Sequence, residues 1–222
     1  MQKNYKFITL ITVFFVAVLM ISNITSTKIL DFGPFTFDGW TLLFPLSYIF
    51  GDVITEVYGY KQSRKIIWMW FGALLLMSVM IIVVGLLPAS KDRAFQADYQ
   101  HILWFTPRIV MASLIAFLAG EFSNSYILAK IKIRMKGKKL RVRTIGSTLV
   151  GEGLDTIIFV VVAFYGVFPT EVLRAIIVSN YIFKVGIEVV FTPLTYLVTN
   201  RLKKVEHEDY YDNHTNFNPV KL

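Results

Sequence analysis

The sequence predicts an all-α polytopic membrane protein with six transmembrane helices and both termini in the cytoplasm. Three observations predict it. Hydrophobic residues fill 55% of the 222 positions and charged residues only 17%, against about 45–50% and about 25% in a soluble domain. The apolar residues gather into stretches near 20 residues long, the length a helix needs to cross roughly 30 Å of hydrocarbon. The basic residues collect between alternate stretches, which is the positive-inside pattern. Mean hydropathy is +0.56. The absence of cysteine excludes a disulfide framework, a thiolate metal site and a Cys nucleophile.

The first span runs from Phe7 to Ser26. It exceeds the roughly 7–15 residues of a signal-peptide core and no small-residue cleavage site follows, so it reads as retained. Leu30 to Asp38 holds Gly33-Pro34 between aromatic residues and favours a turn or small hairpin. The second span, Trp40 to Gly59, carries two acids, and the third, Ile66 to Leu87, carries no charge. Pro88 to Gln100 is the longest external loop. The fourth span covers Ile102 to Leu128, followed by a basic loop from Lys130 to Arg143. The fifth covers Thr144 to Phe168 and the sixth Val172 to Thr199. Residues 1–204 thus form one transmembrane domain. Residues 205–222 form a polar cytoplasmic tail that is expected to fray.

A net charge of +8 suggests nucleic acid until the basic residues are placed. Lys3 and Lys6, then Lys61, Arg64 and Lys65, then the Lys130–Arg143 run, then Arg201, Lys203, Lys204 and Lys221 all fall on one side. The run from Lys130 therefore reads as a topology determinant against anionic headgroups, not as a nucleic-acid patch.

Eight ionisable residues remain in or near the spans: Asp52, Glu56, Arg108, Glu121, Glu152, Asp155, Lys184 and Glu188. Each costs roughly 2.5–3.5 kcal/mol near a helix centre, so such groups face a wet or paired interior and mark a pathway. At about 1.5 Å per residue, Asp52, Asp155 and Lys184 all lie about 16–18 Å deep. Glu56, Glu121, Glu152 and Glu188 lie to the cytoplasmic side, and Arg108 nearer the outer mouth. Tyr48, Asp52 and Glu56 share one helix face by their i, i+4 spacing. So do Ser147, Gly151 and Asp155, with Thr148 and Glu152 beside them, and so do Asn180, Lys184 and Glu188. The plain alternative for Lys184 and Glu188 is an i, i+4 pair within their own helix. Ala112, Ala116 and Gly120 form a small-xxx-small ridge that reads as close helix packing.

The pattern points away from an enzyme. An intramembrane serine protease needs a Ser and a His within spans, and His101, His207 and His214 lie at or beyond span ends. Gly151-Glu152-Gly153-Leu154-Asp155 has the wrong spacing for an intramembrane aspartyl protease loop.

The residues reached carry a resemblance. Phe44-Pro45-Leu46-Ser47-Tyr48 runs into Gly51-Asp52-Val53-Ile54-Thr55-Glu56-Val57-Tyr58-Gly59-Tyr60, followed by a basic turn with Arg64. Thr144-Ile145-Gly146-Ser147-Thr148, Gly151-Glu152, Asp155-Thr156 and Phe183-Lys184-Val185 come later. Together they resemble the bacterial queuosine-precursor transporter family, also called the vitamin-uptake-transporter family, over nearly the whole chain. Family members carry Asn in the block where Glu152 stands.

The resemblance implies six transmembrane helices in the bacterial inner membrane and import of a 7-deazaguanine such as 7-cyano-7-deazaguanine, its aminomethyl analogue or queuine. Such a ring offers N1–H and an exocyclic amine that a carboxylate accepts, and a carbonyl that wants a donor. The expected substrate-binding residues are Tyr48, Asp52, Glu152, Asp155, Asn180, Phe183 and Lys184. Glu56, Arg108, Glu121 and Glu188 are assigned to a gate or proton relay. The expected partners are the small deazapurine and the bilayer, with no nucleic acid. A homo-oligomer and a separate energising ATPase stay open, as does the reading as a substrate-binding subunit of an importer for another vitamin-like molecule. No cofactor or metal is expected.

Overall fold

The structure, a computed structural model, describes residues 5–25, 28–32, 35–38, 40–90, 96–103, 107–166 and 169–221. In chain order the elements are α1 (Ile8–Thr25), β1 (Ile29–Phe32), β2 (Phe35–Asp38), α2 (Trp40–Tyr58), α3 (Tyr60–Leu86), α4 (Gln96–Leu103), α5 (Pro107–Arg134), α6 (Leu140–Phe164) and α7 (Thr170–Glu206). Among the described residues the fold is helical apart from one antiparallel hairpin, in which Ile29 pairs with Asp38 and Phe32 with Phe35. This is the hairpin expected around Gly33-Pro34, although that dipeptide lies outside the described residues.

Among the described residues five helices, α1, α3, α5, α6 and α7, are long and apolar enough to cross a membrane. Their outward faces carry exposed apolar side chains such as Phe14, Leu76, Val83, Ile157, Ile182 and Leu197. On a soluble protein such a surface would aggregate, whereas against lipid it is the expected coat. Helix α2 has 19 residues and contains Asp52 and Glu56. It packs against α1, α3, α5 and α7, and every residue from Gly51 to Tyr60 is buried. A helix segment enclosed by protein, as residues 51–60 are, can keep acids that a lipid-facing helix cannot.

Two apolar layers hold α2. Ile54 packs with Phe15 and Leu19 of α1, Ile66, Trp70 and Leu74 of α3, and Leu114 and Phe117 of α5. Ile49, Val53, Val57 and Tyr58 pack toward Ile8 and Ile11 of α1 and Phe191, Val198 and Leu202 of α7. The remaining face of α2 holds Asp52, Thr55 and Glu56.

Helices α5 and α6 touch almost backbone to backbone. A Cβ on Gly151 would stand 2.9 Å from the Gly120 carbonyl oxygen, and one on Gly120 would stand 3.0 Å from that of Gly151. Ala112 and Ala116 are fully buried, so the ridge is used for close packing as its spacing implies.

Several boundaries differ from the expected ones. Ile102 belongs to the short helix α4, and the long helix begins at Pro107, where a missing N–H is no loss. The expected basic loop from Lys130 to Arg143 is mostly helix, because α5 continues to Arg134 and α6 starts at Leu140. Helix α7 runs on to Glu206, about 55 Å in all. It contains Pro193, which removes one backbone donor.

The tail does not fray. His207 is left-handed, with φ 49°, and reverses the chain, so the tail lies back across one end of the bundle. At that same end Glu206 accepts hydrogen bonds from the backbone N–H of Lys6 at 2.9 Å and of Phe7 at 2.6 Å, and from the Tyr58 hydroxyl at 2.9 Å. A carboxylate suits the free amides at the start of a helix. The start of α1 and the end of α7 are therefore neighbours.

Candidate functional site

The buried ionisable residues divide into two groups along the bundle. The first centres on Lys184 of α7. Its ammonium lies 2.5 Å from Asp155 Oδ2 and 3.1 Å from Glu152 Oε2, both on α6. The pairing runs between helices, so the within-helix alternative of Lys184 with Glu188 is not what the structure shows. Glu152 is completely buried, while the side chains of Lys184 and Asp155 are 21% and 16% exposed. This triad is the place where buried charge meets accessible surface.

Around it stand carboxylates with little to satisfy them. Asp52 of α2 accepts a hydrogen bond from Asn124 Nδ2 of α5 at 2.9 Å. Its second oxygen, the Asn124 carbonyl oxygen, Glu152 Oε1 and both Glu188 oxygens have no hydrogen-bond partner among the described residues. Glu121 is buried with its carboxyl against the backbone of Gly51, where a Cβ would overlap it. It lies within electrostatic reach of Asp155 and Glu188, and Glu188 within reach of Asp52. Dry, unpaired acceptors of this kind call for donors from a proton, water or ligand.

The second group centres on Glu56. Its carboxylate takes a bidentate contact from Arg143 Nη1 of α6, at 2.8 and 2.6 Å, and one from Lys203 of α7 at 2.5 Å. Lys132 of α5 is 3.6 Å away and donates to the Glu56 backbone oxygen at 2.5 Å. Four helices are tied at one buried carboxylate. Glu56 therefore sits apart from the Lys184 triad, in a knot whose cations satisfy it.

A polar seam on α7 joins the two groups. Lys184, Glu188, Thr192, Thr195, Thr199 and Lys203 recur at intervals of three or four residues and so share a face. Glu188, Thr192, Thr195 and Thr199 are each no more than 2% exposed. The seam spans about 28 Å from Lys184 to Lys203.

Of the expected site residues, the structure brings Glu152, Asp155 and Lys184 together and places Asp52, Glu121 and Glu188 near them. Phe183 is half-buried beside Lys184. Asn180 is exposed, one turn along α7, and is not part of the buried group. The side chains of Tyr48 and Arg108 lie outside the described residues. Asn124, Lys132, Arg143, Lys203 and the threonine seam were not foreseen. The threonine spacing from Glu188 was the available signal for the seam.

Apolar helices enclosing paired and unpaired carboxylates define a multi-pass membrane protein with a buried polar interior. The chain belongs to the vitamin uptake transporter family, whose model, described as "Putative vitamin uptake transporter", matches residues 38–198. It is similar to a "Probable queuosine precursor transporter" of Bacillus subtilis, 35% identical over 147 residues, covering 65% of this chain and 64% of that protein. A protein of the same description in Haemophilus influenzae is 28% identical over 72% of this chain and 67% of its own. The "Queuosine precursor transporter" of Escherichia coli is 25% identical over 91% of this chain and 90% of its own. The match to the B. subtilis protein thus spans just under two thirds of its length. No solved structure matches at comparable significance. With several apolar helices and bacterial relatives, the chain is a multi-pass protein of the bacterial inner membrane.

Proposed function

We propose that the chain is a carrier, not an enzyme, and imports a 7-deazaguanine precursor of queuosine. The observation that carries this reading is the Lys184 triad, a partly accessible cation held between two carboxylates. A deazaguanine offers the complementary set. Asp155 or Glu152 accepts its N1–H and exocyclic amine, and Lys184 donates to its carbonyl. Phe183 and Tyr48 supply ring faces, and Asn180 stands at the outer approach. Asp52, Glu121 and Glu188 serve a proton relay, Glu56 an inner gate and Arg108 the outer mouth. The names of the curated relatives supply the substrate class.

We further infer six crossings with both termini cytoplasmic, α2 being the sixth span. Two observations support this. Residues 6 and 206 are neighbours, which requires an even number of crossings, and five helices already qualify. The end they share also bears Arg64, Lys132, Arg143 and Lys203, the side favoured for basic residues. Residues 1–204 act as the transmembrane unit and 205–222 as a cytoplasmic segment.

Asp155→Asn keeps the side-chain volume and removes the charge. Radiolabelled substrate uptake by this variant is expected to fall roughly ten- to hundredfold, as loss of a charge-assisted hydrogen bond implies. Uptake equal to the wild type would remove Asp155 from the site.

A further inference from the structure

We propose that residues 208–221 form a lid over the inner end of the polar seam, latched by Asp209, and that it lifts to let the solute leave. This rests on the inward path and orientation given above, though not on the identity of the solute.

The lid begins where α2 ends. A helix terminus leaves carbonyl oxygens without intrahelical partners, and the next helix leaves N–H groups. At Gly59 the chain takes φ +83° with ψ 170°, a conformation essentially restricted to glycine. The tail supplies the missing partners. Tyr210 N donates to Val57 O at 3.1 Å. Asp212 Oδ2 accepts from Tyr60 N at 3.0 Å. A Cβ on Gly59 would overlap the Tyr210 ring, and one on Gly137 would overlap the Tyr211 hydroxyl. Consecutive tyrosines thus roof the α2–α3 turn and the α5–α6 turn. Farther on, Arg64 donates to the backbone oxygens of Asn216 at 2.7 Å and Asn218 at 2.5 Å. Trp68 Nε1 donates to Pro219 O at 2.8 Å. Phe217 lies between Tyr60 and Tyr126, with the Lys130 ammonium 4.0 Å from its ring centre.

The latch is shared with the knot beneath. Asp209 Oδ1 is 2.6 Å from Lys132 and 2.8 Å from Lys203, the two lysines that also contact Glu56. Burial raises the Asp209 carboxyl, but the hydrogen bonds and charges of both lysines prevail and leave it below its ordinary value. Unlike Glu56, Asp209 is 43% exposed, so its pairs can break into water while Glu56 stays in place. Release of Asp209 leaves Lys203 on Glu56 Oε1 and Lys132 on the Glu56 backbone oxygen, and loosens the tail from both lysines at the turn that follows Thr199. Thr199 is fully buried and its hydroxyl has no partner among the described residues. It marks the closed inner end of the seam.

The chain has no cysteine, so Thr199→Cys gives a single reporter in the full-length protein, with Thr195→Cys as the substitute should the first misfold. In inside-out vesicles the reporter is treated with a membrane-impermeant maleimide, with and without Asp209→Asn. The proposal expects slow labelling that Asp209→Asn accelerates roughly three- to tenfold, the range set by losing two partly screened ion pairs. Amide hydrogen exchange at Tyr60 and Tyr210 is measured on the same proteins and is expected to rise in parallel. Faster exchange with unchanged labelling would overturn the lid, since the tail would then leave without opening a path. Unchanged exchange would overturn the latch. Labelling only from the opposite face would also overturn the proposal, because the covered end of the seam would then not be the inner one. Binding of any deazaguanine plays no part in the readout.

Discussion

In detergent, Glu56→Gln is expected to lose about 3–5 kcal/mol of stability, the cost of leaving buried charges without their partner. Glu56 is fully buried, and Lys132 and Arg143 beside it are 1% and 2% exposed. Glutamine keeps the shape and one acceptor, so the change isolates the charge. Without it three cations from three helices face one another, with Asp209 paired to two of them at the rim. Pairing the change with Arg143→Met should recover part of the loss, because removing both members of a buried pair costs less than removing one. A thermal melt of the single and double variants checks both statements. A Glu56→Gln protein as stable as the wild type would mean that the knot is not what ties α2 to α5, α6 and α7.

Lys184→Met should abolish most substrate binding and also lower stability, since it leaves buried Glu152 without its cation. Lys184 is the cation that answers both Glu152 and Asp155. Methionine fills its apolar stem but offers no donor. The two carboxylates then repel each other and any electron-rich carbonyl brought between them. Loss of one charge-assisted contact amounts to about 1.5–3 kcal/mol, or roughly ten- to hundredfold in affinity. Lys184→Arg retains the charge and should retain part of the binding. Calorimetry on the purified variants separates the cases. Equal affinity in wild type and Lys184→Met would move the site away from α7.

The parts of this architecture that were legible in the sequence follow from periodicity and hydropathy. Apolar runs located the long helices, and i, i+4 spacing placed Asp52, Asp155 and Lys184 on facing stripes. The motif around Asp52 to Tyr60 marked α2, and the structure supplies physical reasons for it. Asp52 meets Asn124, Glu56 anchors four helices, Tyr58 holds Glu206, Gly59 turns the chain and Tyr60 seats the tail. Within the basic run from Lys130 the two inward-facing cations could not be told from the rest, because a lysine facing a carboxylate and one facing water look alike in sequence. Lys132 and Arg143 turn inward, and helix continues to either side of Gly137. The tail looked frayed because it is polar and rich in Asn and Asp. Its partners are backbone groups orphaned at Gly59, which no composition reveals. Asn180 shared the right helical phase with Lys184, but phase along α7 does not report how far the neighbouring helices enclose it.

Binding of a deazaguanine by the Lys184 triad, as proposed above, is measured by calorimetry of the purified protein with 7-cyano-7-deazaguanine, its aminomethyl analogue, queuine, guanine and biotin. Selective binding of one or more deazaguanines, weakened in the Asp155→Asn protein, is the expected result. Binding of biotin alone, of none of the five, or of a deazaguanine with unchanged affinity after Asp155→Asn would contradict it.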